Sequence, residues 1–295
     1  MTPAPSSDPS PAPSAVIGPA PSAPPASSTI RPRAFAVDLS EVPRHWMMGH
    51  PVPTHIVNGL NLLFPIGERF FVRSVKAHLE ALDDPQLIAD VRAFFGQEGK
   101  HASAHDRVNQ MLRDQGFEVD PFLRGYRRAM EELERRMSPA LRLSVTAAVE
   151  HFTAVLAELV FSSPILTVAA PPMKELLAWH ALEEIEHRAV AFDVLAKVRP
   201  SYPLRIAGLA IATTALAGFW LAATRSLLRQ EPPRVDAARW SRPPREQRII
   251  PRVFVRGIRD YLRPSFHPRQ KNLEALASEW IRAQLPALAP SLLDA

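Results

Sequence analysis

Two stretches of this chain repeat one pattern: Glu98-Gly-Lys-His101 and Glu184-Ile-Glu-His187. On a helix, residues three apart share a face, so the carboxylate and imidazole of each pair can reach one ion. A single Glu-x-x-His is common on helices and means little alone. Here both pairs interrupt apolar stripes spaced alternately four and three. The first stripe runs Leu87, Val91, Phe94, Glu98, His101, His105, Val108, Leu112. The second runs Met173, Leu177, His180, Glu184, His187, Ala191, Val194. Glu68, between Phe64 and Phe71, and Glu150, between Ala147 and Ala154, interrupt two further stripes. A buried unpaired carboxylate is costly or takes up a proton. Four of them, with no Lys or Arg on the same stripes, call for positive charge from elsewhere, which two metal ions supply. Arg69 and Lys100 neighbour these glutamates but point to other faces. Carboxylate and imidazole donors without sulfur suit a pair of Fe ions, with Mn or a mixed Fe/Mn pair as alternatives and Zn a poorer fit. The expected ligands are Glu68, Glu98, His101, Glu150, Glu184 and His187.

Helices must position these groups. Strand signals are scarce, and the spacing predicts a first helix over about 54–82, with Pro65 kinking it or adjusting its start. Asp84-Pro85 and Ser138-Pro139 each read as a cap followed by Pro at the first helical position. They open helices over about 85–114 and 139–161. A charged connecting helix falls between, over 121–137. Pro171-Pro172 opens a further helix to about Val198. The ligands thus come in the order Glu, Glu-x-x-His, Glu, Glu-x-x-His, as two helix hairpins joined by a longer crossover. The expected fold is all-α: a ferritin-like four-helix bundle over 34–200. Around it lie a disordered Pro/Ala/Ser-rich tail over 1–33, an apolar helix over 201–228 and a basic helical extension over 229–295.

Three segments carry a closer resemblance. Val149–Ala154 (VEHFTA), Trp179–Val194 (WHALEEIEHRAVAFDV) and Arg263–Pro268 (RPSFHP) resemble the family described as predicted metal-dependent hydrolases. The ligand order also looks like that of ferritin-like di-iron carboxylate proteins. His180-x-x-x-Glu184-x-x-His187 is similar to the pattern of di-iron arylamine N-oxygenases, where a histidine one turn earlier adds a seventh ligand. That resemblance implies metal ligation by His180. His105, one turn after His101, is a further candidate without such support. Glu183, His151 and Asp193 are candidates to support the ligands from behind, and His267 reads as a loop or packing residue.

Three functions compete. An O2-activating oxidase or oxygenase would work on a small organic substrate, with an external electron donor and with Phe71, Phe94 and Phe95 as shielding walls. A hydrolase would use the two ions to activate water, as the family description suggests. Non-catalytic iron binding comes last. The sequence lacks cysteine, which excludes disulfides, iron–sulfur clusters and thiol nucleophiles. No nucleic-acid motif accompanies the net charge of +5, so no nucleic-acid partner is expected. No charged n-region and apolar h-region open the chain, so a cytoplasmic protein is expected. Residues 206–223 are apolar over a length near that of a membrane span. They point to peripheral or integral association with the inner membrane, or to packing on the bundle or against a second copy in a homodimer.

Overall fold

The structure, a computed structural model, describes residues 28–232 and 249–284. The expected disorder of residues 1–27, the Pro/Arg linker over 233–248 and the chain beyond 284 lie outside these residues. Within them the protein is all-α and has no strand, apart from an isolated bridge between Met47 and Ala169.

The helices are α1 (Pro51–Asn61), α2 (Phe64–Lys76), α3 (Pro85–Asp114), α4 (Asp120–Arg136), α5 (Pro139–Ser162), α6 (Pro171–His187), α7 (Val190–Val198), α8 (Tyr202–Leu228), α9 (Ile249–Tyr261) and α10 (Leu273–Gln284). Two caps are as the sequence reads. Asp84 accepts the N–H groups of Gln86 and Leu87 at the start of α3, and Ser138 accepts that of Leu141 at the start of α5.

Two expected helices are broken. The first, read as continuous over 54–82, is α1, α2 and a short 3-10 turn over Leu79–Ala81. Pro65 explains the break between α1 and α2, because it has no N–H to donate to the Asn61 carbonyl. The helix read over 171–198 breaks at Arg188 and Ala189 into α6 and α7. There the buried Arg188 guanidinium donates to the Ile185 carbonyl, the acceptor that the Ala189 N–H would take in an unbroken helix. It also holds the Pro268 carbonyl at 3.2 Å and Glu274 at 2.8 Å.

α2, α3, α5 and α6 pack around one another, while α8 lies along α5 and α1, and α9 along α5. Gly208 sets the α5–α8 crossing: a Cβ there would run into Ser144 and its backbone. The core has two apolar halves. One gathers Leu63, Ile66, Val108, Leu112, Leu176 and Trp179. The other gathers Phe71, Val75, Phe94, Leu143, Ala147 and Val194. α2, α3 and α5 contribute to both halves, α6 feeds the first and α7 the second, and the polar residues of the stripes form the belt between them.

The N-terminal boundary also shifts. Residues 28–33, expected to be disordered, lie against the bundle. Ile30 is buried, Pro32 rests over Gly96, where a Cβ would meet its ring at 2.6 Å, and Arg33 forms ion pairs described below.

Candidate metal centre

The belt is buried on every side. Glu68, Glu98, His101, Glu150, Glu184 and His187 are at most 4% exposed, and His180 is 5% exposed. Glu68 comes from α2, Glu98 and His101 from α3, Glu150 from α5, and His180, Glu184 and His187 from α6. The donor atoms gather into groups in which every atom lies within 4.8 Å of the others. One group is Glu68, His101 and His180; a second is Glu98, Glu150 and His187; a third is Glu98, His101 and Glu184. Glu184 spans the space between the first two. Its Oε1 lies 2.7 Å from His180 Nε2 and 3.6 Å from His101 Nδ1, and its Oε2 lies 3.4 Å from His187 Nε2.

Hydrogen bonding within the belt leaves much unmet. His187 Nε2 stands 3.1 Å from Glu98, 3.3 Å from Glu150 and 3.4 Å from Glu184, yet is aligned as a hydrogen bond with none. Both carboxylate oxygens of Glu68, Glu98 and Glu150 are buried without a hydrogen-bond partner. So are Glu184 Oε2, His101 Nδ1 and His187 Nε2. Buried polar atoms are normally satisfied. A cluster of orphaned carboxylate and imidazole atoms facing one another fits a site for cations.

The electrostatics agree. Burial lifts Glu68 and Glu98 well above the ordinary carboxylate range, and neighbouring carboxylates add to the shift. Burial brings Glu150 to about 7 against the pull of His187. Glu184 goes the other way: burial raises it, but His187 and His180 outweigh burial and hold it well below the usual range. For His187, burial lowers the pKa, but Glu184, Glu150 and Glu98 reverse that and raise it well above the ordinary imidazole value. Burial keeps His101 and His105 neutral. One imidazolium cannot balance four carboxylates, so protons or metal cations must do the rest.

Each histidine of the belt is oriented by a different group behind it. Glu183 Oε2 lies 3.0 Å from His101 Nε2, leaving Nδ1 for the centre. His105 Nε2 lies 2.6 Å from His180 Nδ1, leaving Nε2 for the centre. Gln97 Oε1 lies 2.8 Å from His187 Nδ1. His105 therefore stands behind His180 rather than in any of the ligand groups. The end of the N-terminal tail grips this outer layer. The Arg33 N–H donates to Glu183 at 2.7 Å, its guanidinium pairs with Glu186 at 2.7 Å, and the Arg31 carbonyl accepts from Gln97 at 3.2 Å.

Two of the expected supporting residues lie elsewhere. His151 bonds the Gly257 carbonyl of α9 at 2.9 Å. Asp193 pairs with His267 at 2.7 Å, and His267 also caps the turn at Pro268–Gln270. Arg69 and Lys100 do face away, toward Asp106 and the Pro32 carbonyl. The aromatic walls are partly as expected. Phe94 sits edge-on to His187 at 5.1 Å, and Phe64 and Trp179 contribute rings against His180 and His101. Phe71 instead lines an apolar cleft with Gly67, Tyr126, Met130, Val149 and Thr153; Gly67 and Val149 are the chain neighbours of Glu68 and Glu150.

Sequence reasoning did not find a second His/Glu group: His45, His55 and Glu231. Both imidazoles and the Arg44 guanidinium converge on Glu231 Oε1, at 3.1, 2.7 and 3.3 Å. Arg44 already neutralises that carboxylate, so the group clamps α1 to the end of α8. Its members lie far apart in sequence and on no common stripe, so spacing could not reveal it.

A family model described as predicted metal-dependent hydrolase matches residues 31–272 of the chain. No curated protein and no solved structure matches it.

Proposed function

The chain belongs to the family of predicted metal-dependent hydrolases, and from that membership and the buried belt we propose a metal-dependent enzyme with a two-ion centre. Glu68, His101 and His180 would hold one ion, Glu98, Glu150 and His187 the other, with Glu184 between them. The observation that carries this reading is the set of buried, facing donor atoms without partners. The donor set favours Fe, with Mn or a mixed pair close behind.

Hydrolysis is the reaction that the family description supports. When bound, two ions activate a water and polarise a carbonyl or phosphoryl oxygen of the substrate. The chain's own contribution is orientation and exclusion. Glu183, His105 and Gln97 fix the three imidazoles, and the carbon-lined cleft that reaches Gly67 and Val149, the chain neighbours of Glu68 and Glu150, suits a small apolar substrate.

A second reading is O2-dependent oxidation with an external electron donor. The rings of Phe64, Phe94 and Trp179 against the histidines favour it, because a dry apolar surround protects oxidising chemistry from water. Reconstitution with Zn or with Fe decides between the two. Ester or phosphoester turnover that persists with Zn under argon supports hydrolysis. O2 uptake seen only with Fe(II), and no turnover with Zn, sinks it in favour of oxidation.

A further inference from the structure

Two described helices are long and apolar enough to cross a membrane, and they differ sharply. The apolar window of α5 is 83% buried inside the protein, while that of α8 is 22% buried despite a mean hydropathy of 1.8. α8 is 27 residues long, about 40 Å at about 1.5 Å per residue. One side packs on α5 and α1 through Gly208, Leu209, Ala212, Ala223 and Leu227. The opposite side is exposed at Pro203, Ala207, Ala210, Thr214, Ala217 and Leu221. These positions alternate in steps of four and three, so they form one straight strip. The only polar member, Thr214, turns its hydroxyl back to the Ala210 carbonyl. Leu221 is 69% exposed.

The border of the strip says what covers it. Tyr202 and Trp220 stand near its two ends, each tied to backbone by its polar atom: Tyr202 to the Leu262 carbonyl and Trp220 to that of Ile56. Aromatics anchored this way suit the level of lipid headgroups. Beside the strip runs α9, met through Trp220 against Phe254 and through Arg205 against the Arg263 carbonyl. Among the exposed residues of α9 and the turn after it are Arg252, Val255, Arg256, Arg259, Leu262 and Arg263. Glu158 pairs with Arg256 and Asp260 with Arg263, and Arg225 and Arg229 add further exposed cations at the end of α8. An apolar strip with a basic border matches a bilayer of anionic lipid.

We propose that α8 and α9 form a docking surface on which the protein lies on an anionic membrane, with α8 flat in the headgroup region. Because α8 packs lengthwise on α5 and α1, it does not span the bilayer alone.

Co-sedimentation of the full chain with vesicles tests this. Binding is expected to vesicles of phosphatidylcholine with phosphatidylglycerol, weaker binding to phosphatidylcholine alone, and release by salt. Arg225→Glu and Arg259→Glu should each weaken binding by at least about fivefold. The double variant Ala217→Glu with Leu221→Glu should abolish it, while far-ultraviolet circular dichroism and metal content stay unchanged. No binding to either vesicle, or binding untouched by the double variant, overturns the proposal. So does a dimer in light scattering that the double variant splits into monomers, since the strip would then be a contact between copies.

Discussion

The backbone N–H of Arg33 donates to Glu183 Oε1 at 2.7 Å, while Glu183 Oε2 meets His101 Nε2 at 3.0 Å. One carboxylate thus joins the N-terminal segment to a histidine of the belt. Burial lifts Glu183 to about 7 against the pull of Arg33, so the segment also helps to keep it charged. Glu183→Ala should lower metal affinity by about 10–100-fold, the usual effect of losing a group that orients a ligand, and Arg33→Ala, which removes the guanidinium but keeps the backbone N–H to Glu183, should lower it less. Arg33→Lys should recover part of the loss through Glu186. Titration with Fe(II) or Mn(II) under argon checks this, and affinities equal to wild type would separate the segment from the centre.

Removing ligands should have opposite effects on metal and on the metal-free fold. Glu98→Ala and Glu184→Ala should both lower the bound metal measured by elemental analysis; unchanged content in both would refute the ligand assignment. Glu68→Gln should bind metal less well, yet melt higher than wild type after chelation at pH 8. The reason is that a buried carboxylate far above its ordinary pKa opposes folding once ionised.

The same shifts set a pH trend. Glu68, Glu98 and Glu150 have pKa values raised in the folded state, Glu150 to about 7 from 4.5. A raised folded-state value means the native protein binds more protons than the unfolded chain. Stability is therefore present below the unfolded carboxylate value and is lost as pH rises through the folded one. His187, also raised, acts in the same direction at higher pH; Glu184, held low, does not contribute to this loss. His101 and His105, held neutral by burial, oppose this trend up to the ordinary imidazole value, so melting of the chelated protein should fall between about pH 6.5 and pH 8. With metal bound, cations replace the protons, and the trend should flatten or reverse. Parallel curves with and without metal would contradict a cation site at the belt.

Gly208→Val places carbon where Ser144 and its backbone already lie. Overpacking of this kind costs about 1–3 kcal/mol. Chemical denaturation should show that loss, and because α8 carries no ligand, metal stoichiometry should stay at the wild-type value.

The belt was legible because it breaks a rule. A charged residue on an apolar stripe is conspicuous in sequence, and Glu68, Glu98, Glu150 and Glu184 each stand out on one. His180 needed a family resemblance as well, and the structure places it with Glu68 and His101. The break after His187 was invisible because it depends on where the Arg188 guanidinium finds carbonyls eighty residues away. The grip of residues 28–33 was hidden for a related reason. A Pro/Ala/Ser tail reads as unable to fold by itself, and its last residues are held by charges on α6 as well as by the buried Ile30. His151 and Asp193 were misplaced because neighbourhood to a ligand in sequence says nothing of which side of the helix faces it.

The hold of Arg33 on Glu183 also has a temporal side. The two residues are 150 positions apart, and a ribosome adds about 5–20 residues per second. Arg33 is therefore added to the chain roughly eight to thirty seconds before its partner. Once α3 has been made, His101 lacks its orienting carboxylate until Glu183 follows it, 82 positions later. The completed belt is thus a late event of synthesis, and a nascent chain stalled before α6 should not retain metal.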